Sequence, residues 1–297
     1  MSISTIQNLL VTGLLRGGLY ALMAIGLALV FGVMNICHFA HGEYYAIGAY
    51  AAYFAFAVWG LNPILAILIA ALISFLAGAI TEKALFYPLR KLSKGPWVMN
   101  AFLLTAGLST VLQSGFQLGF GMQYLGITQY WNATVKVFGM NIAADRVVAF
   151  GIALVSIAGM WLFLHRTRTG RAIRAVSQDE RGAQLVGIDL DWIQTLTFSV
   201  GSMLAGIGGA SLLSLNPAYP FSGSAPLISS WFVVTIAGLG NVEGAIVGGL
   251  LVGMFESVSY FLLGQGWQTV ASLVLLILLL LFKPSGLFGT GIKSVWE

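Results

Sequence analysis

The feature that most constrains this chain is a succession of long apolar runs, each near the ~20 residues that a helix needs to cross a bilayer. They fall at roughly 6–34, 43–59, 62–86, 97–120, 144–164, 193–215, 226–240, 242–263 and 267–283. Only 8% of the residues are charged, against about 25% in soluble domains. The expected fold class is therefore all-α integral membrane: a polytopic helical bundle of about eight transmembrane helices plus one short or broken helix, 226–240. The whole chain, 1–297, reads as one transmembrane domain. The first residues, MSISTIQNLL, lack the positive segment of a signal peptide, so the first apolar run is expected to stay as a span. The prolines, Pro63, Pro88, Pro96, Pro217, Pro220, Pro226 and Pro284, lie near the ends of these runs. That placement predicts unbroken helices between them.

One polar stretch interrupts the pattern. Residues 166–191, RTRTGRAIRAVSQDERGAQLVGIDLD, hold five arginines and four acidic residues. With the loop 87–96 and its Arg90, Lys91 and Lys94, it should face the cytoplasm, because basic residues mark that side. The N-terminus is then outside, and the C-terminus, with Lys283 and Lys293, is inside. This requires 226–240 to cross or nearly cross. Within the polar stretch Ile173, Val176, Ala183 and Val186 alternate with charge, which predicts a short amphipathic helix kinked at Gly182 and stopped at Gly187.

Small residues recur every four positions at Ser202, Gly206, Ala210 and Ser214, and at Gly240, Gly244 and Gly248, with Gly249 and Gly253 beside them. Such stripes let helix backbones approach closely in lipid. The net charge of +4 is no nucleic-acid signature, since the basic residues cluster in two polar loops. One cysteine, Cys37, excludes an intrachain disulfide.

Polar residues inside apolar segments are the candidates for chemistry. Asn35, His38, His41 and Glu43 cluster between the first two runs, where ionisable groups must face protein or water. The order His-x-x-His-x-Glu differs from HExxH and has no further ligand nearby, so no metal site is expected. A polar helix break lining a solute path fits better. Glu256 lies mid-helix and should point into the bundle, as a solute, gate or structural group. Glu82 and Lys83 are read as an interfacial pair, Arg16 as reaching the interface, and Glu243 as a carboxylate at a helix start. There is no Walker A, GxSxG or CxxC motif. A chain with no visible means to hydrolyse ATP but a polar, positive loop suggests transport driven by another protein. An ion-coupled transporter or channel, and an intramembrane metalloenzyme built on His38, His41 and Glu43, are the alternatives from other classes.

Four segments carry a resemblance: GVMNICHFAHGEYYAIGAY, TGRAIRAVSQDERGAQLVGIDLDWIQTLTFSVGSMLAGIGGA, GLGNVEGAIVGGLLVGMFES and LLFKPSGLFG. Together, in register over nearly the whole chain, they resemble the permeases of branched-chain amino-acid ABC importers, and also urea-importer permeases. The resemblance implies a bacterial inner-membrane subunit working with a second, related permease, two cytoplasmic ATPase subunits and a periplasmic solute-binding protein. It implies no cofactor of its own, since ATP is used by the partners. It also implies ATPase coupling through 166–191, by Arg171, Arg174, Asp179, Glu180, Arg181, Ala183 and Gly187. Ala183 and Gly187 keep the Ala-x-x-x-Gly spacing of ABC coupling helices, whereas Arg181-Gly182 replaces the Glu-Ala that often precedes it.

Overall fold

A computed structural model describes residues 3–93, 97–137 and 140–289. Lys94, Pro96 and Lys293 lie outside the described residues. In chain order the helices are α1 (Ile3–Met34), α2 (His41–Tyr53), α3 (Pro63–Thr81), α4 (Tyr87–Leu92) and α5 (Trp97–Phe120). After a short hairpin come α6 (Ala144–Arg166), α7 (Arg168–Gln178), α8 (Glu180–Leu185), α9 (Leu190–Ser211), α10 (Ser224–Ala237), α11 (Val242–Leu263) and α12 (Gln268–Phe282). Among the described residues, five helical stretches are long and apolar enough to cross a membrane: Thr5–Met34, Pro63–Leu92, Trp97–Phe120, Ala144–Arg166 and Val242–Leu263. The helices Ser224–Ala237 and Gln268–Phe282 are apolar but shorter.

The expectation of an all-helical chain needs one amendment. Strands β1 (Thr134–Val137) and β2 (Met140–Ala143) pair antiparallel, with Thr134 opposite Ala143 and Val137 opposite Met140. The Asp145 carboxylate anchors the hairpin by accepting hydrogen bonds from the Tyr130 and Trp131 amides, both at 3.0 Å. The Tyr130 hydroxyl then donates to the carbonyl of Ala210 at the far end of α9 (3.0 Å).

The core is built on α9, which packs against α1, α2 and α3. Its buried residues include Thr195, Ser199 and Ser202 beside Ile193, Phe198 and Leu204. Ser199 and Ser202 donate back to the carbonyls of Thr195 and Phe198 at 2.7 and 2.9 Å, so these two hydroxyls are satisfied within the helix. The α1–α11 seam shows why its stripes hold glycine. A Cβ on Gly249 would lie 2.6 Å from the Ala21 nitrogen, closer than any side chain tolerates, so backbone meets backbone. Gly240 does not belong to this helical stripe. It lies in the turn before α11 with φ +81°, and the Asn241 side chain caps the helix by accepting from the Gly244 amide at 2.7 Å.

Pro88 also departs from expectation. It lies inside the continuous stretch Pro63–Leu92, not at its end. The ring of a proline clashes with the carbonyl four residues back and offers no N–H. The chain answers with a π-helical turn, Glu82–Phe86, immediately before it. A second π turn, Phe54–Val58, ends α2.

Two helices start inside the bundle. The His41 ring meets the Met23 carbonyl (3.2 Å), so α2 begins roughly 16 Å back along α1 from Met34, at 1.5 Å per residue. Residues 35–40 therefore fold back inward. The start of α10 is likewise internal, since Gly223 packs directly on Gly42. With 14 residues, α10 is about 21 Å long, short of the ~30 Å hydrocarbon core. The short or broken helix expected at 226–240 is this one.

Candidate functional site

The polar stretch 166–191 forms an elbow of two helices. Thr167 caps α7, its hydroxyl accepting from the Gly170 amide at 2.9 Å. Ile173 and Val176 are buried, turned toward the bundle, while Arg168, Arg171 and Arg174 are exposed at every third residue along the outer face. The break between the helices falls at Asp179, not at Gly182. The Asp179 side chain caps α8 by accepting from the Arg181 amide (3.1 Å). A Cβ on Gly182 would run into that carboxylate, so this glycine makes room for the cap. Gly187, at φ +86°, stops α8 as expected.

The coupling candidates divide by exposure. Arg171, Arg174, Asp179, Glu180, Arg181 and Gly187 are exposed, whereas Ala183 is buried at 4%. At the tip stand Leu185, 88% exposed, and Val186, 78% exposed. Two neighbouring large apolar side chains this exposed are the kind of surface that marks an interaction site. Leu185 was not singled out by periodicity because it falls off the buried stripe.

The second cluster lies where α2 and α10 begin. His38 is fully buried, its ring centroid 4.7 Å from Phe198 and 5.7 Å from His41. His41 turns to α1 instead. Glu43, 1% exposed, turns to α5, where its Oε1 accepts from the Ser109 hydroxyl (2.9 Å) and the Gln113 amide (2.7 Å). Its Oε2 has no hydrogen-bond partner among the described residues. The three side chains thus diverge, and no group of three metal-ligating residues occurs among the described residues. Asn35 ends α1 in the left-handed region, φ +54°, with its side chain exposed.

Beside this cluster three aromatic rings from different elements meet at the surface. Phe39 lies 5.1 Å from Phe102 of α5 and 5.7 Å from Trp231 of α10, centroid to centroid. Thr105 fixes the backbone between them, accepting from the Phe39 amide (3.2 Å) and lying 3.1 Å from the Cys37 carbonyl. Ser109, Gln113, Phe102 and Trp231 were invisible as a site in the sequence, where each looks like ordinary helix content.

Glu256 is 4% exposed. It accepts from the Tyr20 hydroxyl (2.7 Å) and the Ser272 hydroxyl (3.2 Å), which ties α1, α11 and α12 together. Glu82 does not pair with Lys83. It is fully buried and pairs with Arg90 at 2.7 Å, because the π turn rotates it inward while Lys83 stays exposed. Glu243 pairs with His165 at 3.2 Å, and the Arg16 guanidinium sits 5.8 Å from the centre of the Tyr260 ring.

A multi-helix membrane bundle with internally broken helices, a polar interior and a charged elbow defines the class: a multi-pass transport subunit. Residues 9–282 match the family described as branched-chain amino acid transport system / permease component, and the chain belongs to it. It is 31% identical to the high-affinity branched-chain amino acid transport system permease protein BraD of Pseudomonas aeruginosa, over 94% of both chains. It is 29% identical to LivH of Escherichia coli K12, a permease protein of the same description, over 93% of both. LivM of the same organism, again a high-affinity branched-chain amino acid permease protein, is 25% identical over 91% of this chain and 67% of its own length.

Proposed function

We propose that this chain is one of two related, non-identical permease subunits of an ATP-driven importer in a bacterial inner membrane. It passes branched-chain amino acids delivered by a periplasmic binding protein. Family membership and near full-length similarity to BraD and LivH support the solute class, and the parallel similarity to LivM supports a paired, related subunit. The chain makes about eight full crossings of the bilayer and one further, broken crossing by α10 joined to residues 212–223, with the N-terminus outside and the elbow and C-terminus inside.

The observation that carries the mechanism is the elbow, with Leu185 and Val186 in water at its tip and arginines behind them. It is the docking surface for an ATPase subunit. Nucleotide binding in that partner moves α7 and α8, α6 and α9 carry the movement into the membrane, and a central path opens alternately to each side. Asn35, His38, His41, Glu43 and Glu256 are the candidates for path and gate. Glu43 is the best candidate for a solute contact, because one carboxylate oxygen is held by α5 and the other is buried without a hydrogen-bond partner among the described residues.

Reconstitution with both permeases and both ATPases tests this reading. Leucine uptake should require ATP and the binding protein. The variant Arg174→Glu with Arg181→Glu should lose ATPase subunits and uptake while remaining in the membrane. Normal uptake by that variant refutes the docking role.

A further inference from the structure

Between the elbow and the polar cluster lies a group of charges that neither role uses. Glu82, in the π turn, is completely buried. Its Oε1 lies 2.7 Å from Arg90 Nη2, and its Oε2 accepts from the Thr195 hydroxyl of α9 at 2.5 Å. The same Nη2 reaches Asp191, in the first turn of α9, at 3.5 Å. Lys91 closes the group at 3.0 Å from Asp191. The guanidinium is flanked by the Tyr87 and Trp97 rings at 5.9 and 5.8 Å.

The position of this group matters more than its strength. Asp191 begins α9 directly after the elbow, and Gln194, one turn further, donates to Glu180 of α8 at 3.5 Å. At the other end of the π turn, Phe86 is fully buried with its ring 5.0 Å from Phe198 and 6.4 Å from His38. A continuous set of contacts therefore runs from α8 through the start of α9 and the π turn to residues 35–40. A buried ion pair is weak evidence for stability, since apolar residues of the same volume often serve at least as well. A π turn inside a long helix is a frequent mark of a working site. Here one guanidinium faces two carboxylates on two helical elements, 2.7 Å from one and 3.5 Å from the other, so a small shift of α9 against the π turn would exchange one contact for the other.

We infer that Glu82, Arg90 and Asp191 are positioning residues for transport: a joint that passes movement of the elbow to α3 and to the broken helix at residues 35–40. The inference rests on the docking role proposed above, and it concerns what happens after docking.

The test uses the complete transporter in proteoliposomes, with leucine and its binding protein. Two variants avoid stranding a buried charge: Glu82→Gln with Arg90→Gln, and Asp191→Asn at a side chain that is 38% exposed. Each should keep its ATPase subunits and the half-saturating concentration of loaded binding protein. ATP hydrolysed per leucine imported should rise about fivefold or more, the lower range of coupling between sites. A ratio equal to that of the unaltered transporter overturns the inference, whether the two rates are normal or fall together. If the double variant does not accumulate, Asp191→Asn decides alone. ATPase retention in Arg174→Glu with Arg181→Glu reports separately on docking, so failure of the joint and failure of the docking role give different results.

Discussion

Leu185 allows a worked prediction, because the structure isolates its contribution. The side chain is 88% exposed, so the folded chain gains almost nothing from it. If the tip docks into an ATPase subunit, Leu185→Ala removes three carbons from that contact. At about 0.8 kcal/mol per buried methylene the loss is about 2 kcal/mol. With tenfold per 1.4 kcal/mol, ATPase affinity should fall about 30-fold. Permease stability should stay within about 0.5 kcal/mol, as for surface changes generally. The assay is titration of purified ATPase subunits onto the permease pair in nanodiscs, with a thermal melt alongside. Adding Val186→Ala, at a residue 78% exposed, should weaken docking further without moving the melt. The loss should persist at high salt, which screens the arginines but not an apolar contact. Affinity within twofold of the unaltered chain for the double variant would show that the tip is not buried by a partner.

Other predictions concern the bundle. Gly249→Leu should prevent stable folding, since even a Cβ there meets Ala21 at 2.6 Å, whereas Gly107→Leu, with nothing within 4 Å, should leave the chain's melt in detergent unchanged. Tyr20→Phe removes one of the two donors to Glu256; a loss of about 1–3 kcal/mol in stability is expected, readable as a lowered melting temperature with the leucine half-saturation unaltered. Asp145→Ala leaves the Tyr130 and Trp131 amides without their acceptor, and should increase protease cleavage within 121–143 while the helices stay intact. Glu43→Gln keeps the size of the side chain but removes its carboxyl group, so leucine uptake should fall while ATPase retention holds; unchanged uptake would remove Glu43 from the path.

The sequence by itself determined the class of this fold. Helix-length apolar runs with few charges leave lipid as the solvent, and lipid permits only elements that satisfy their own backbone. It also located the elbow, because a segment with five arginines among apolar helices must stand in water. The stop at Gly187 and the inward turn of Glu256 were readable for the same local reasons. Tertiary structure alone decided who partners whom. Lys83 is adjacent to Glu82 in sequence, yet a π turn ahead of Pro88 turns Glu82 away from it toward Arg90 and α9. Ser109 and Gln113 look like ordinary polar positions until the fold brings α5 beside Glu43. Leu185 and Ile173 are both aliphatic residues in the same polar stretch, and only the break at Asp179 sends one to water and the other to the core. Composition and periodicity report which solvent a segment prefers. They carry no information about which distant segment takes the place of that solvent, and in this chain the proposed joint and path are made of such replacements.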